Sequence, residues 1–269
     1  MIDRYAVIGN PVAHSKSPQI HALFAHENGQ DMAYERLLAP LDRFRETVER
    51  FRTEGGRGLN VTVPFKEEAY RLATACTERA RSAEAVNTVR FDTGAIYGDN
   101  TDGAGLVRDI CDNLGVAIAG RRVLLLGAGG AARGVIAPLL AEGPEKLTIA
   151  NRTVERARVL ERHFAPAVVA GGYEALSGNS FDIVINATSA SLAGALPPLP
   201  PGMFAAGSLA YDMMYGAGPT PFLRWAQDQG AALAADGLGM LIEQAAESFF
   251  VWRGIRPRTD TVFAAFRAA

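Results

Sequence analysis

Leu124-Leu125-Leu126-Gly127-Ala128-Gly129-Gly130-Ala131-Ala132 is the stretch that decides the fold of this 269-residue chain. The apolar run that leads into it, Arg121–Leu126, is typical of a parallel strand buried on both faces. A helical pattern follows. Gly127 permits a tight turn, Gly129 lets a pyrophosphate approach the backbone, and the small Ala132 permits close helix–strand packing. This context predicts a dinucleotide-binding βαβ unit; a glycine turn that serves packing alone is the alternative.

The end of the next predicted strand discriminates between cofactors. An NAD-binding protein usually places an acidic residue there, bonded to the ribose 2′-hydroxyl. Here Asn151-Arg152-Thr153 follows the strand, with Arg156 one turn later. Arginines and a hydroxyl would bind a 2′-phosphate, which a carboxylate would repel. The sequence therefore favours NADP, unless the arginines are only solvated and Thr153 only caps the helix.

Strand-like and helix-like runs alternate along nearly the whole chain. Beyond the glycine turn the order β-α-β-α predicts a doubly wound parallel sheet. The pattern changes near Asn100, where a helix is predicted over Thr101–Leu114, so a domain boundary is expected there. The helical patterns at 238–253 and 260–268 fit either domain.

Composition restricts the class of function. Hydrophobic residues make up 48% and charged residues 21%, as in folded globular proteins, and the net charge of −2 predicts no nucleic-acid-binding face. No apolar run approaches the roughly 20 residues of a membrane helix, and no leader pattern is present, so a cytoplasmic protein without membrane insertion is expected. Cys76 and Cys111 are isolated, and neither a disulfide framework nor a metal site is expected.

Polar residues cluster after the first predicted strand, in His14-Ser15-Lys16-Ser17-Pro18. Ser17 is predicted to cap a helix, with Pro18 in its first turn. Two hydroxyls at this spacing could bind a polyol or a carboxylate. A helix cap with solvated neighbours is the alternative.

A second cluster, Asn60-Val61-Thr62-Val63-Pro64-Phe65-Lys66, places Asn60 and Thr62 on one face of a strand, with Lys66 just beyond its end. Only Lys16, Lys66 and Lys146 are lysines among 27 cationic residues. The pattern indicates the lining of a site; an exposed strand face with a surface lysine is the alternative.

Two further features carry amides and acids. Asn87 interrupts an apolar run, and an amide inside a strand needs a hydrogen-bond partner. Asp99-Asn100-Thr101-Asp102-Gly103 opens the long helix. Capping explains Asp99 and Thr101, so Asp102 is the candidate for chemistry.

Taken together, these motifs resemble the shikimate dehydrogenase family over essentially the whole chain. The motifs that carry the resemblance are Gly9-Asn-Pro-Val-Ala-His-Ser-Lys-Ser-Pro18, Asn60-Val-Thr-Val-Pro-Phe-Lys66, Ala85-Val-Asn-Thr88, Asn100-Thr-Asp-Gly103, Gly127-Ala-Gly-Gly-Ala131, Asn151-Arg-Thr153, Asn186-Ala-Thr-Ser189, Tyr211-Asp-Met-Met-Tyr215 and Gly237-Leu-Gly-Met-Leu241 through Gln244. One departure is Ala190-Ser191-Leu192, where family members commonly have x-Gly-Met.

The resemblance implies an N-terminal α/β substrate domain, residues 1–101 and 238–269, to which the C-terminal helices return. It implies a doubly wound Rossmann-type NADP domain, residues 102–237. The implied reaction is the reversible NADPH-dependent reduction of 3-dehydroshikimate to shikimate, on the chorismate route to aromatic amino acids. A monomer or homodimer is expected.

The resemblance also implies roles for individual residues. Lys66 and Asp102 correspond to the catalytic pair, and a lysine ammonium suits a step that must place a proton on a developing alkoxide. The implied substrate contacts are Ser15, Ser17, Asn60, Thr62, Asn87, Asp102, Tyr215 and Gln244. The implied cofactor contacts are Glu78, Gly127, Ala128, Gly129, Gly130, Ala131, Asn151, Arg152, Thr153, Arg156, Thr188, Met213 and Gly237.

Three other functions stay open. A quinate/shikimate dehydrogenase of broader substrate range would carry the same motifs. A methylenetetrahydrofolate dehydrogenase also pairs a lysine with a two-domain plan, but the two-serine motif argues against it. A non-catalytic NADP-sensing regulator would not need both Lys66 and Asp102.

Overall fold

A computed structural model describes residues 2–188, 190 and 194–267. Contacts divide the chain into two compact units, the first comprising Met1–Leu106 and Leu241–Ala269 and the second Val107–Met240. The C-terminal helical segment, which the sequence pattern left open, thus belongs largely to the first unit. Ser189, Ser191 and Leu192, which include the departure from the family pattern, lie outside the described residues.

The strands and helices follow the alternation that the sequence predicts. The strands are β1 (Asp3–Gly9), β2 (Met32–Leu38), β3 (Gly56–Val61), β4 (Ala75–Cys76), β5 (Thr88–Asp92), β6 (Ala95–Asp99), β7 (Arg122–Leu126), β8 (Lys146–Ala150), β9 (Val168–Gly171), β10 (Phe181–Asn186), β11 (Phe204–Asp212) and β12 (Leu233–Asp236). The helices are α1 (Ser17–Glu27), α2 (Phe44–Thr53), α3 (Lys66–Leu72), α4 (Glu78–Ala83), α5 (Asp102–Arg108), α6 (Gly130–Ala141), α7 (Val154–His163), α8 (Pro221–Asp228), α9 (Leu238–Arg253) and α10 (Asp260–Arg267).

The sheet of the first unit has the strand order β2-β1-β3-β5-β6-β4. β1 lies parallel between β2 and β3, whereas β5 is antiparallel to both β3 and β6. This register places Asn60 opposite Thr88, and Thr88 opposite Asp99. Three polar motifs that are distant in sequence therefore meet at one end of the sheet, while Ile8, Leu59 and their apolar neighbours fill a core beside it.

The sheet of the second unit is parallel throughout, with the order β12-β11-β10-β7-β8-β9. This is the order of a doubly wound dinucleotide-binding sheet, in which the direction of strand addition reverses beside the first strand. β7 carries Leu124, Leu125 and Leu126 at 0% exposure, as expected of a strand covered on both faces. The predicted fold class is confirmed.

Two local expectations are wrong. Ser17 does not cap α1: the helix begins at Ser17, and Lys16 occupies the cap position without a side-chain capping bond. The long helix predicted over Thr101–Leu114 ends as α5 at Arg108 and continues as a π-helical turn, Asp109–Asn113. The first residue of this π-helical turn makes a buried hydrogen bond: the Tyr211 hydroxyl donates to Asp109 Oδ2 at 2.7 Å.

Among the described residues, no helix combines the length and the hydropathy that crossing a bilayer requires.

Candidate active site

Lys66 and Asp102 form an ion pair in the first unit. Each is the first residue of its helix, α3 and α5, and the distance from Lys66 Nζ to Asp102 Oδ2 is 2.5 Å. The lysine side chain is 14% exposed and the aspartate side chain 5%, so a ligand can reach the ammonium while water is largely excluded from the carboxylate. The predicted pair, 36 residues apart in sequence, is brought together.

Asn87 holds the other oxygen of this carboxylate. Its Nδ2 donates to Asp102 Oδ1 at 2.8 Å, and its Oδ1 accepts from the Thr101 backbone N–H at 2.8 Å. A carboxylate only accepts and a backbone N–H only donates, so the amide orientation is fixed from both ends. Asn87 precedes β5 instead of lying inside a strand, and its own backbone is paired with Asp99 and Val61.

Gln244 and Asn60 extend the same network. Gln244, on α9, accepts from Asn87 Nδ2 at 3.2 Å through Oε1 and donates to the Leu241 carbonyl at 3.0 Å. Asn60 Nδ2 donates to the Asn87 backbone carbonyl at 3.3 Å and to Ser248 Oγ at 2.9 Å. Four predicted substrate contacts, Asn60, Asn87, Asp102 and Gln244, therefore belong to one buried network in the first unit.

Sequence reasoning missed four members of this network: Tyr34, Thr88, Thr101 and Ser248. Thr88 stands in a motif without an assigned role, and Thr101 is interpreted from the sequence only as a helix cap. Ser248 lies four residues after Gln244 on α9, hence on the same helix face, and that spacing was a usable signal. Tyr34 had none, because only the tertiary structure brings β2 to this site.

Tyr34 holds the side-chain oxygen of Asn60. Its hydroxyl donates to Asn60 Oδ1 at 2.7 Å, and its ring stacks on His21 with centroids 4.3 Å apart. Burial raises the pKa of Tyr34, so the phenol keeps its proton. Burial also lowers the pKa of His21 to about 3, so the imidazole is neutral at physiological pH.

The two-serine motif and Thr62 lie where β1 and β3 end. Ser15 Oγ accepts from the Ser17 backbone N–H at 3.3 Å and donates to Ser17 Oγ at 3.2 Å. The Arg36 guanidinium holds the Ser15 carbonyl, with Nε at 3.0 Å. Thr62 follows β3, and its N–H donates to the Ile8 carbonyl at 2.9 Å. The carboxyl ends of these parallel strands share one edge of the sheet. Thr62 directly follows β3 at that edge, and the two serines belong to the segment that leaves β1 there.

In the second unit, the glycine turn joins β7 to α6. Gly127 has φ +112°, a conformation that favours glycine, and a Cβ on it would make a tight contact of 3.2 Å with the Ala187 backbone. A Cβ on Gly129 would meet nothing within 4 Å, which leaves open space beside the first turn of a 12-residue helix. The first turn of a helix leaves backbone N–H groups that bind phosphate, so these residues fit the pyrophosphate of a dinucleotide.

The Asn151-Arg152-Thr153 segment lies beside this turn, because Ala150 at the end of β8 is paired with Leu126 at the end of β7. Arg152 and Arg156 are exposed. Thr153 occupies the cap position of α7, but its side chain makes no capping hydrogen bond. The Thr153 hydroxyl therefore does not cap the helix. Arg152 and Arg156 flank it in sequence, at the strand end where an NAD-binding site usually carries an acidic residue.

Three other predicted cofactor residues follow neighbouring strands of the same sheet. Thr188 comes after β10, and its Oγ1 donates to Asn186 Oδ1 at 2.7 Å. Met213 follows β11 and Gly237 follows β12. A Cβ on Gly237 would lie 2.2 Å from the Met213 carbonyl oxygen. A larger residue at this position would therefore displace the backbone that follows β11 or β12.

Two predicted residues belong to the other compact unit from the remaining members of their predicted site. Glu78, a predicted cofactor contact, is an exposed residue at the start of α4 in the first unit. Tyr215, a predicted substrate contact, follows β11 in the second. Both assignments stay predictions.

Within the part of the chain that the structure describes, no three His, Cys, Asp or Glu residues are grouped as metal ligands.

Comparison with protein families gives three matches in chain order. Residues 7–89 match the shikimate dehydrogenase substrate binding domain. Residues 108–193 match shikimate / quinate 5-dehydrogenase, and residues 237–262 match the shikimate 5′-dehydrogenase C-terminal domain.

Individual proteins agree with these matches. A shikimate dehydrogenase (NADP(+)) of Nitrosospira multiformis is 64% identical, over 100% of this chain and 98% of its own. The crystal structure of an Ael1 enzyme from Pseudomonas putida is 52% identical, with a TM-score of 0.90 over 98% of this chain and 97% of that one. Shikimate 5-dehydrogenase from Thermus thermophilus, solved with NADP(H) and shikimate, is 34% identical with a TM-score of 0.87 over 100% of both chains.

The doubly wound sheet, its glycine turn and the adjacent arginines are those of an NADP-dependent oxidoreductase. The lysine–aspartate pair and the order of the motifs narrow this class, and the chain belongs to the shikimate dehydrogenase family. The resemblance drawn from the sequence is confirmed.

Proposed function

We propose that this chain catalyses the reversible NADPH-dependent reduction of 3-dehydroshikimate to shikimate, with Lys66 and Asp102 as its catalytic pair. The observation that carries the proposal is the ion pair of 2.5 Å, held by Asn87 in a buried amide network. The reaction belongs to the chorismate route to aromatic amino acids. We place the protein in the cytoplasm, as a monomer or homodimer.

Reduction of a ketone adds a hydride to carbon and a proton to oxygen. NADPH, when bound, supplies the hydride. Lys66 Nζ donates to the carbonyl oxygen, stabilises the negative charge that develops there, and transfers its proton to form the hydroxyl. In shikimate oxidation the neutral amine takes the hydroxyl proton back. Because the lysine side chain is 14% exposed, it can exchange the proton with solvent.

Asp102 orients the lysine and accepts a hydrogen bond from a substrate hydroxyl. Its two oxygens are held by Lys66 and Asn87, so the ammonium is pre-positioned before the substrate arrives. The carboxylate also balances the charge of the ammonium in a site with little water.

The other polar side chains of the first unit suit the remaining groups of the substrate. Ser15, Ser17 and Thr62 offer hydroxyls at one edge of the sheet for the substrate carboxylate, and Tyr215 is assigned to the same group. The amides of Asn60, Asn87 and Gln244 suit the ring hydroxyls, because an amide both donates and accepts.

We assign NADP to the second unit. The turn Gly127–Ala131 and the α6 N-terminus would hold the pyrophosphate, while Asn151, Arg152, Thr153 and Arg156 would hold the 2′-phosphate. Thr188, Met213 and Gly237 complete the site, and Glu78 is assigned to the same cofactor.

Turnover tests the proposed activity. Steady-state rates with shikimate and with quinate, each with NADP and with NAD, should be highest for shikimate with NADP. Three relatives at 61–64% identity are named for shikimate and NADP(+), so the quinate alternative is not favoured. A protein that binds NADP without turning over shikimate would contradict the proposal and favour the sensing regulator.

Arg152→Ala is expected to raise the KM for NADP roughly tenfold to a hundredfold, since a hydrogen bond to a charged group contributes about 1.5–3 kcal/mol. The KM for NAD should stay nearly constant, because NAD has no 2′-phosphate. The measurement is kcat/KM with each cofactor.

Arg158→Ala is the matched control, because Arg158 is an exposed arginine on the same helix, further from its N-terminus. It should leave the ratio of NADP to NAD preference at the wild-type value. An unchanged ratio in Arg152→Ala would remove this arginine from the cofactor site.

A further inference from the structure

Three hydroxyls meet beside the Asn87 amide: those of Thr88, Thr101 and Ser248. They come from β5, from the segment before α5 and from α9, and all three residues are 0% exposed. The Oγ atoms lie 2.8 Å apart between Thr88 and Ser248, 3.1 Å between Thr101 and Ser248, and 3.2 Å between the two threonines. We call these three residues the hydroxyl cluster.

The hydroxyl cluster touches both amides that the proposed function assigns to the substrate. Asn60 Nδ2 donates to Ser248 Oγ at 2.9 Å and to Thr88 Oγ1 at 3.2 Å. Thr88 Oγ1 donates to Asn87 Oδ1 at 2.9 Å, and Asn87 Nδ2 donates to Thr101 Oγ1 at 2.9 Å. Each of the two amides therefore forms hydrogen bonds with at least two of the three hydroxyls.

A bond to a carbonyl or from an amide N–H has one possible direction, whereas between two of the hydroxyls either oxygen can donate. The Ser248 hydroxyl donates to the Gln244 carbonyl at 3.0 Å, and its oxygen is then left to accept. It accepts the Asn60 N–H, which the Tyr34 phenol constrains from the opposite end of the amide. If these positions served packing alone, valine and alanine could fill them. Three buried hydroxyls, each of which needs a hydrogen-bond partner, would then be unnecessary.

We propose that Thr88, Thr101 and Ser248 are positioning residues for the reaction. They hold the Asn60 and Asn87 amides in the orientation that presents Asn87 Nδ2 to Asp102, and through Asp102 they place the Lys66 ammonium. The inference rests on the proposed function. Loss of one hydroxyl leaves a buried donor or acceptor unpaired, and the amides then turn or draw in water. The substrate would then meet a displaced Lys66–Asp102 pair, although no residue that contacts the substrate has been substituted.

Two substitutions at Thr88 separate a hydrogen-bonding role from a packing role. Thr88→Val keeps the shape and removes the hydroxyl, whereas Thr88→Ser keeps the hydroxyl and removes a methyl group. We expect Thr88→Val to lower kcat/KM for shikimate by about tenfold or more, because small displacements in a preorganised site are costly. Thr88→Ser should stay near the wild-type value, and the KM for NADP should change in neither variant.

Ser248→Ala tests the residue on α9, with Ser208→Ala as the matched control. Ser208 is 1% exposed in the second unit, and its hydroxyl has no partner among the described residues, so both variants remove a buried serine hydroxyl. Shikimate affinity by calorimetry and kcat/KM for shikimate should fall in Ser248→Ala and not in Ser208→Ala. If Ser248→Ala does not fold, the Thr88 pair decides.

Several results would overturn the inference. Thr88→Ser more damaging than Thr88→Val would show a packing role, and wild-type kinetics in both Thr88→Val and Ser248→Ala would show no role in catalysis. An equal loss of affinity for shikimate and for NADP would show general damage to the protein. A wild-type protein inactive with shikimate would contradict the proposed function itself, whereas an active wild type beside an unaffected Thr88→Val would contradict only the inference.

Discussion

Lys66→Ala should lower kcat for shikimate oxidation by at least about 100-fold, the lower end of general acid–base effects, with little change in KM. The ammonium is the only cation paired with Asp102 in the described structure, and alanine leaves no group to exchange the proton. The backbone should persist, because the Lys66 carbonyl accepts from the Val86 N–H at 2.9 Å whatever the side chain. Substrate binding, which uses the neighbouring hydroxyls and amides, should persist too.

Two variants control this experiment. Lys146→Ala removes an exposed lysine at the start of β8 and should leave kcat unchanged. Lys66→Met keeps an unbranched side chain without the charge and should be as slow as Lys66→Ala. A kcat near the wild-type value in either Lys66 variant would remove this lysine from the chemistry.

Asp102→Asn should lower turnover and shikimate affinity together, with a combined loss in kcat/KM of at least about 100-fold. In the wild type, Asp102 Oδ1 accepts from Asn87 and Oδ2 accepts from Lys66, so both oxygens face donors. An asparagine amide has only one oxygen, and in either orientation its NH₂ group faces the Asn87 amide or the Lys66 ammonium. One of these two contacts must break, which displaces a substrate contact or the proton donor.

The comparison that checks this prediction is NADP affinity, which should be nearly unchanged in Asp102→Asn. Asp182→Asn is the control: that aspartate lies in the second unit, paired with Arg122 at 3.0 Å. Loss of cofactor binding as steep as the loss of turnover would place Asp102 in the cofactor site.

Much of the candidate cofactor site could be predicted from the sequence because its determinants are local. The turn at Gly127 depends on a backbone conformation that glycine adopts readily, and the N-terminus of α6 follows within three residues. The arginines at 152 and 156 follow the next strand, and parallel pairing brings adjacent strand ends to the same edge. Short-range sequence order was therefore sufficient for the cofactor class.

The substrate side was predicted only in part. Ser15, Asn60, Lys66 and Asp102 could be singled out, because a polar residue in an apolar setting or beyond a strand end is visible in the sequence. Their partners could not. Asn60 depends on Ser248, 188 residues away, and on Tyr34, which lies on β2 with β1 between the two strands.

The sequence by itself thus determined the alternation of strands and helices, the doubly wound class and the choice of NADP over NAD, and it marked Lys66 and Asp102 as candidate site residues. Each depends on spacing or residue type within a few positions. The tertiary structure alone decided which unit contains Leu241–Ala269, how Asn87 is oriented, and which hydroxyls surround it. Hydrogen-bond partners across a sheet and a distant helix depend on strand register and helix packing, and no local pattern in the chain specifies those.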